Sequence, residues 1–571
     1  MYIAKIVSAS EDSIQVQFYN KICPKVNRMV SDFSRAFALM TKDMPEIREI
    51  VPTYCAVSVY FDEKSCKSAL LKEIALEVIE KIDGEEEKST GSERIITIPV
   101  CYETEEFAPD LRKVAAHAKL TAEEVIKIHS STDYLIYMMG FLPGFPYLGG
   151  MEKCLETPRL ETPRTKIPAG SVAIGGAQTG LYPVESPGGW NIIGRTPLKL
   201  FDLNRNPHFL YNSGDKIRFE PISRKEFEDF DVYAENDWLW KNGFEAEAIQ
   251  HSHSVVAGRK KTHAKNIPHY ECGGGIKILV AGLLTTVQDA GTNGFQKYGI
   301  SQSGAMDEIS FVLANVICGN PENTACLETT LSGPSIRFVT DCDFAITGAV
   351  FSNARLNGIP VEMNKKIHAE AGSVLDCGFA SNGLRSYIAF TGGILVPEVF
   401  GSRSTNLKSK IGGFYGRKLE SGDELAIGFA RRHGKSMKES LTPAKKINPF
   451  FARKDGILVL DCIKSSQFDF FSEESVKIFT STVYTITPES DRMGIRFQGQ
   501  NIRCGKTDII SDAIPFGAVQ ITSAGLPLVM AADRQTTGGY AKIACVKKES
   551  MCALAQAAPG TKVQFKIEET C

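Results

Sequence analysis

This 571-residue sequence has no long uninterrupted apolar run, no C-x-x-C pair and no surplus of either charge sign. Its 65 Lys and Arg face 67 Asp and Glu, a formal net charge of −2, so neither a basic nucleic-acid surface nor an acidic tail is indicated. Fifteen cysteines, an odd number, are scattered from Cys23 to Cys571. Without paired spacing they exclude a disulfide framework and a cysteine zinc site, and they read as reduced thiols of a cytoplasmic protein. Residues 1–10 contain Lys5 but no apolar h-region or cleavage site, so no secretory signal is expected. Residues 134–151 are uncharged and long enough to span a membrane, but Pro143, Pro146 and four glycines interrupt them. A looped core segment is expected there.

Common catalytic signatures are missing as well. Two stretches approach a phosphate-binding loop, from Gly428 to Gly434-Lys435-Ser436 and from Gly499 to Gly505-Lys506-Thr507. Each has five residues between the glycines where the loop needs four, and the second runs into a strand-like segment where a helix should start. No G-x-S-x-G elbow, H-E-x-x-H or kinase signature occurs.

What is present is a chain of several domains, since about 100–200 residues per domain gives about three to five. Residues 1–88 carry two amphipathic helices, one through Val26, Met29, Val30, Phe33, Phe37 and Met40, the other through Leu70, Leu71, Ile74, Val78, Ile79 and Ile82. With the β-branched runs 14–18 and 56–61 they predict a small α/β sandwich. Residues 89–222 start with a strand at 94–102, pass through two short helices, and from Tyr134 become strands punctuated by Gly and Pro. Residues 223–275, acidic, then basic, then Gly273-Gly274-Gly275, read as a linker with one or two docked segments. Its histidines 251, 253, 263 and 269 lack ligand-spaced partners and read as solvated. Residues 276–440 and 441–571 form two further strand-rich domains, with a helix near 306–317 and a polar break near Gly434.

A repeat links the two halves. Pro168-Ala-Gly170-Ser-Val-Ala-Ile174 is echoed by Pro515-Phe-Gly517-Ala-Val-Gln-Ile521, each followed by a Gly-Leu turn and then by Gly188-Gly189-Trp190 or Gly538-Gly539-Tyr540. Related barrels around a shared cleft are expected, or a repeat that serves packing only. Polar residues crowd the same turns. Arg164, Lys166, Ser171, Gln178, Ser186 and Arg195 lie in the first half, and Asp491, Arg492, Asp533, Arg534, Gln535, Thr536 and Lys542 in the second. Asp beside Arg, followed by an amide and two hydroxyls, suits an anionic substrate, because a guanidinium offers a planar fork to carboxylate or phosphate. A surface salt bridge with capping hydroxyls is the alternative. His129, at a helix end before an apolar loop, fits a general acid or base, or a histidine held by a backbone carbonyl.

At these motifs the sequence resembles a known pair of families. The first half, through Gly140-Phe-Leu-Pro-Gly-Phe-Pro-Tyr-Leu-Gly-Gly150, the 168–174 and 178–183 segments and Ser186-Pro-Gly-Gly-Trp190, is similar to the B subunit of bacterial 5-oxoprolinase, the allophanate hydrolase subunit 1-like or KipI family. The second, through Thr286-Val-Gln-Asp289, Ser303-Gly-Ala-Met-Asp307, Gly401-Ser-Arg403-Ser-Thr405, Ser490-Asp-Arg-Met-Gly494 and Asp533-Arg-Gln-Thr-Thr-Gly-Gly-Tyr540, is similar to the C subunit, the KipA or biotin-dependent carboxyltransferase family. The resemblance implies a mainly β, α+β fold with cyclophilin-like β-barrels in both halves. It also implies a fused B and C that activates 5-oxo-L-proline with ATP for hydrolysis to L-glutamate, together with a separate 5-oxoprolinase component of the LamB/YcsF type.

A divalent cation such as Mg is expected with ATP, biotin is not expected on this chain, and neither nucleic acid nor membrane is an expected partner; homo-oligomerisation is left open. Expected roles fall on Asp491, Arg492, Asp533, Arg534 and His129 in catalysis. Arg164, Lys166, Ser171, Gln178, Ser186, Arg195, Arg403, Gln535, Thr536 and Lys542 are expected to bind substrate or ATP. The family places arginine after the glycine of its Q-D-x-G motif; here Gly291 is followed by Thr292, which leaves that anion contact open. Two other functions fit the same resemblance, the carboxyl-transfer part of a urea carboxylase and a histidine-kinase inhibitor.

Overall fold

The computed structural model describes residues 4–83, 94–244, 272–429, 453–454, 456–505 and 508–568. The linker histidines, the polar break near Gly434 and the Lys-Thr or Lys-Ser ends of both near-miss phosphate loops lie outside the described residues.

The N-terminal region is a four-stranded sheet in the order Lys5–Ser10, Ser13–Gln17, Ala56–Phe61, Ile47–Pro52. Helices Pro24–Met40 and Ser68–Asp83 cover one face. Pro24 opens the first helix, where its missing N–H costs nothing. Val26, Met29, Val30, Phe33 and Phe37 line up on Ile14, Val16, Val57 and Val59 of the sheet. The second helix turns Leu71, Ala75, Val78 and Ile79 inward; Leu70, expected inside, is 46% exposed, because it lies on the flank of the apolar stripe.

Two seven-stranded barrels follow the same plan. The first closes in the order Ile95–Cys101, Asn191–Arg195, Ser171–Gly175, Gln178–Leu181, Pro146–Gly149, Asp133–Met139, Lys216–Ile222, the last strand running parallel to the first. In the second the order is Ile457–Lys464, Lys542–Val546, Ala518–Ile521, Pro527–Met530, Gly494–Gln498, Tyr484–Ile486, Lys562–Ile567, again closed by a parallel pair. Closure removes the free sheet edges. The repeat found in the sequence is one of position as well as order. Gly170 and Gly517 share φ +82°, and a side chain on either would collide with a carbonyl oxygen, that of Thr196 or of Val546. Both barrels also carry a bulge at the same place, after Ile192 in one and after Lys542 in the other.

Residues 134–151, expected as looped core, form a buried hairpin of the first barrel. No helix among the described residues is long and apolar enough to cross a membrane. Residues 224–241, counted with the linker from their acidity, fold into helices Arg224–Glu228 and Val232–Lys241. Trp238, Leu239 and Phe244 enter the first barrel's core, and the Trp238 indole donates to the Thr97 carbonyl at 2.7 Å. Residues 274–427 build two facing sheets with helix Glu308–Cys318, which is N-capped by Asp307.

The second face of the N-terminal sheet packs on the second barrel. Ser13, Gln15, Ser58 and Tyr60 alternate with the core residues, yet all are buried. Polar alternation normally marks a wet face. Here it meets polar partners: Gln15 donates to Asp512 at 2.6 Å, and Lys548 pairs with Asp12 at 2.9 Å and Glu63 at 2.8 Å. Glu49 accepts from the backbone of Gly294 and Lys297 and from Gln296.

Candidate active site

The strand-turn-strand unit repeated in each barrel is furnished differently. Where Lys542 faces Gln520 across the bulge in the second barrel, Ile192 faces Ala173 in the first. Where Asp512 faces Gly538, Arg164 faces Gly188. Two residues ahead of the equivalent hydroxyls Ser186 and Thr536 stand Val184 in one and Arg534 in the other. The buried charged groups of this unit thus belong mainly to the second barrel.

Arg492 is the hub of that set. Its Nε and Nη2 donate to both carboxylate oxygens of Asp533 at 3.0 and 3.1 Å, its Nη1 donates to Glu328, and Nη2 also reaches the Gly304 carbonyl at 2.6 Å. Burial opposes its charge, but Asp533 and Glu328 hold the guanidinium protonated far above the usual arginine range. Glu328 in turn accepts from the Met306 N–H and the Tyr387 hydroxyl. A fully engaged ion network of this kind positions its neighbours and has little capacity left for a substrate.

Arg534, the next residue, is different. It is 2% exposed and has no carboxylate within ion-pair distance among the described residues. Nε donates to the Ile514 carbonyl at 2.8 Å and Nη2 to Gln296 and Gln302 at 3.3 Å each, while Nη1 has no hydrogen-bond partner. Phe516 lies 5.7 Å beneath the guanidinium. Burial lowers its affinity for a proton, with Tyr60, Asp12 and Glu49 acting in the opposite sense. Thr536 and Tyr60 also hold buried hydroxyls without partners. An uncompensated buried guanidinium beside unpartnered hydroxyls is equipped to receive an anion. The sequence left a surface salt bridge open as the alternative; the tertiary packing instead makes Arg534 one of the largest fully buried side chains, with no carboxylate partner among the described residues.

Lys542 is wholly buried and pairs with Asp512 at 3.3 Å. Asp512 also accepts from Gln15 at 2.6 Å and Gln467 at 2.9 Å. Three of these four residues, Asp512, Gln15 and Gln467, were missed in the sequence, because nothing local separates a glutamine on a wet strand face from one buried across a domain contact. Gln535 is half-buried at the same turn. Asp491 accepts from the Met493 and Gly494 N–H groups and shapes its own turn.

Five of the six first-half candidates are otherwise engaged. Arg164 pairs with Asp110 at 2.8 Å, Lys166 with Glu185 at 3.0 Å, and Arg195 donates to the Ala169 carbonyl at 3.0 Å. Ser171 donates to the Pro168 carbonyl, Gln178 donates to Tyr54, and the buried Ser186 hydroxyl has no partner. Among the described residues, no hydrogen bond or ion pair joins these six to the 533–542 set. Arg403 pairs with Glu398 at 2.7 Å, while its backbone N–H donates to Asp289. Asp289 also accepts from Ser402 and Ser404, so the Q-D-x-G and 401–405 motifs form one structural unit. Thr292 is buried and its N–H donates to the Gln302 carbonyl.

His129 lies inside the first barrel with both ring nitrogens occupied, by Tyr102 and Thr179, each at 2.9 Å. It stacks on Phe219 at 4.6 Å, and burial pulls its pKa from 6.5 down to about 3. Both readings from sequence change: the partners are hydroxyls where a carbonyl was expected, and no nitrogen is left for a substrate proton. Below pH 6.5 the unfolded chain takes up a proton that the folded chain refuses until about pH 3. Stability contributed by neutral His129 is therefore present above pH 6.5 and declines as pH falls, by ~1.4 kcal/mol per unit. In urea melts between pH 6 and 4, His129→Gln is expected to show a shallower pH dependence than the parent; equal slopes would contradict this burial effect.

Comparison with known proteins matches this architecture. The carboxyltransferase domain, subdomain A and B, matches residues 298–567, and the carboxyltransferase domain, subdomain C and D, matches residues 4–211. The 5-oxoprolinase C subunit of Escherichia coli is 37% identical over 291 residues, covering 51% of this chain and 90% of that protein. The 5-oxoprolinase B subunit of Bacillus subtilis is 38% identical over 230 residues, covering 39% of this chain and 95% of that protein. The chain belongs to the families of the 5-oxoprolinase B and C subunits. Members that occur as two proteins are here joined in one polypeptide, each half retaining its cyclophilin-like barrel. The crystal structure of TTHA0988 shares the arrangement over 97% of this chain and 99% of its own, with a TM-score of 0.78 and 28% identity.

Proposed function

We propose that this chain is the fused B and C component of an ATP-dependent 5-oxoprolinase, converting 5-oxo-L-proline, ATP and water into L-glutamate, ADP and phosphate together with a separate LamB/YcsF-type component. The observation that carries this reading is the near-complete match of each half to a different subunit of the same named enzyme. The lactam is a resonance-stabilised amide. Transfer of the γ-phosphoryl group to its carbonyl oxygen releases ADP and makes the ring carbon electrophilic. Water adds there, the ring C–N bond breaks with the nitrogen leaving as the protonated amine, and a second water hydrolyses the resulting acyl phosphate to glutamate and phosphate. Such a step needs positive charge near the transferring group and a clamp on the substrate carboxylate.

Arg534 suits the clamp, since among the expected cations it is the one with neither a carboxylate partner nor exposure to water. Arg492 and Asp533 act as positioning residues that fix the turn bearing Arg534, Gln535 and Thr536. Among the described residues no cluster of three or more His, Cys, Asp or Glu side chains forms a metal site. In this reading a magnesium ion enters with the nucleotide phosphates.

Ring opening is assigned to the LamB/YcsF-type component. The purified chain alone is therefore expected to produce little or no glutamate from 5-oxoproline and ATP, and addition of that component is expected to raise glutamate formation at least tenfold. Full turnover by the single chain would overturn the division of labour. Carboxyl transfer from carboxybiotin without lactam turnover would overturn the oxoprolinase reading itself.

A further inference from the structure

Two buried charges at the junction of the halves lack an ion-pair partner among the described residues: the Arg534 guanidinium and the Glu49 carboxylate, 2% and 6% exposed. They come from different halves. Glu49 lies on the strand Ile47–Pro52 of the N-terminal sheet, where a bulge shifts the register between Ile47 and Glu49 and sets Glu49 across from Tyr60. Unshifted pairing from Ile47 and Phe61 would bring Arg48 to that place. The bulge therefore decides that a carboxylate stands beside Tyr60 on the face docked against the second half.

One amide joins the two charges. Gln296 opens the short helix Gln296–Tyr298; its Nε2 donates to Glu49 Oε2 at 3.2 Å and its Oε1 accepts from Arg534 Nη2 at 3.3 Å. Glu49 holds the backbone here as well, accepting the N–H of Lys297 on Oε1 at 3.0 Å and that of Gly294 on Oε2 at 3.2 Å. The sense of the amide follows from the inventory of donors. An ionised carboxylate only accepts and a guanidinium only donates, so the amide nitrogen must face Glu49 and the amide oxygen must face Arg534. Glutamine at position 49 would keep the size but offer Gln296 both a donor and an acceptor, and the amide would lose its preferred sense. Turned over, it would meet the guanidinium donor to donor.

We infer that Glu49 is a positioning residue for Arg534, acting through Gln296, so that the first half completes the anion clamp carried by the second barrel. The inference rests on the reading of Arg534 as the clamp on the substrate carboxylate. Gln302 shares Nη2 at 3.3 Å, so losing the sense of the Gln296 amide loosens the guanidinium without freeing it. The effect is therefore smaller than that of removing Arg534.

The test is calorimetric titration of the full chain, with the LamB/YcsF-type component present, using 5-oxoproline and its neutral amide, 5-oxoprolinamide. Only the acid calls on the guanidinium, so the ratio of the two affinities reports on the clamp, whereas a general loosening of the junction weakens both alike. The parent is expected to prefer the acid at least about tenfold, and Arg534→Met to lose that preference. Glu49→Gln and Gln296→Met are each expected to reduce the ratio about fivefold, the size of one ordinary hydrogen bond, and the double variant to reduce it no further. Equal weakening of acid and amide, or additive losses in the double variant, would overturn the inference. A ratio that rises in Glu49→Gln would overturn it too, since that is what removing a mere counter-charge produces. A parent without preference for the acid, or a preference kept in Arg534→Met, refutes the clamp itself and this inference with it; a preference lost in Arg534→Met but kept in full by Glu49→Gln refutes the positioning role alone.

Discussion

Exchanging Arg492 for alanine is expected to lower stability by about 3–5 kcal/mol, because it strands Glu328 and Asp533 as buried carboxylates without a counter-charge. That is a large part of the ~5–15 kcal/mol that holds a typical domain together. A fall of the melting temperature by roughly 10 °C follows, read by calorimetry or circular dichroism. The size comes from what remains after the deletion. Glu328 also receives the Tyr387 hydroxyl and the Met306 N–H, so the strain spreads from the second barrel into the neighbouring sheets. Combining Arg492→Met with Glu328→Gln and Asp533→Asn removes all three charges and is expected to recover most of the loss. A single alanine variant that melts with the parent would show that the network bears no such weight.

At Arg534 the balance reverses. Arg534→Met keeps much of the volume and removes a buried charge that no carboxylate neutralises. It forfeits hydrogen bonds to Ile514, Gln296 and Gln302, about 0.5–1.5 kcal/mol each, against relief of the desolvation cost. Stability is expected to change by no more than about 2 kcal/mol in either direction. Glutamate formation with the LamB/YcsF-type component is nevertheless expected to fall at least a hundredfold, equivalent to ~2.7 kcal/mol of lost transition-state stabilisation. Arg534→Lys is expected to restore only part, since an ammonium group cannot supply the planar fork. A folded Arg534→Met protein with full activity would remove Arg534 from the site. The contrast between the two variants would separate a residue that holds the turn from one that, in the proposed reaction, serves the substrate.

Local signals in the sequence determined a good deal. The helix Pro24–Met40, the buried core segment 134–151 and the strand-turn-strand repeat were all legible, because apolar periodicity and glycine-requiring turns are properties of a few neighbouring residues. Polar crowding at the glycine-rich turns marks Asp533, Arg534 and Lys542 as functional candidates from sequence alone. Which of the candidate cations is left without a counter-charge was settled by contacts far apart in the chain. Arg492 meets Glu328, Arg164 meets Asp110, and Arg534 meets only neutral groups. The fate of His129, enclosed by Tyr102, Thr179 and Phe219, is likewise a product of barrel closure. The strand Ser13–Gln17 shows the limit most plainly. Its alternation fixes which side chains share a face, but the same pattern serves water or a polar partner domain, and only docking on the second barrel buries Gln15 against Asp512.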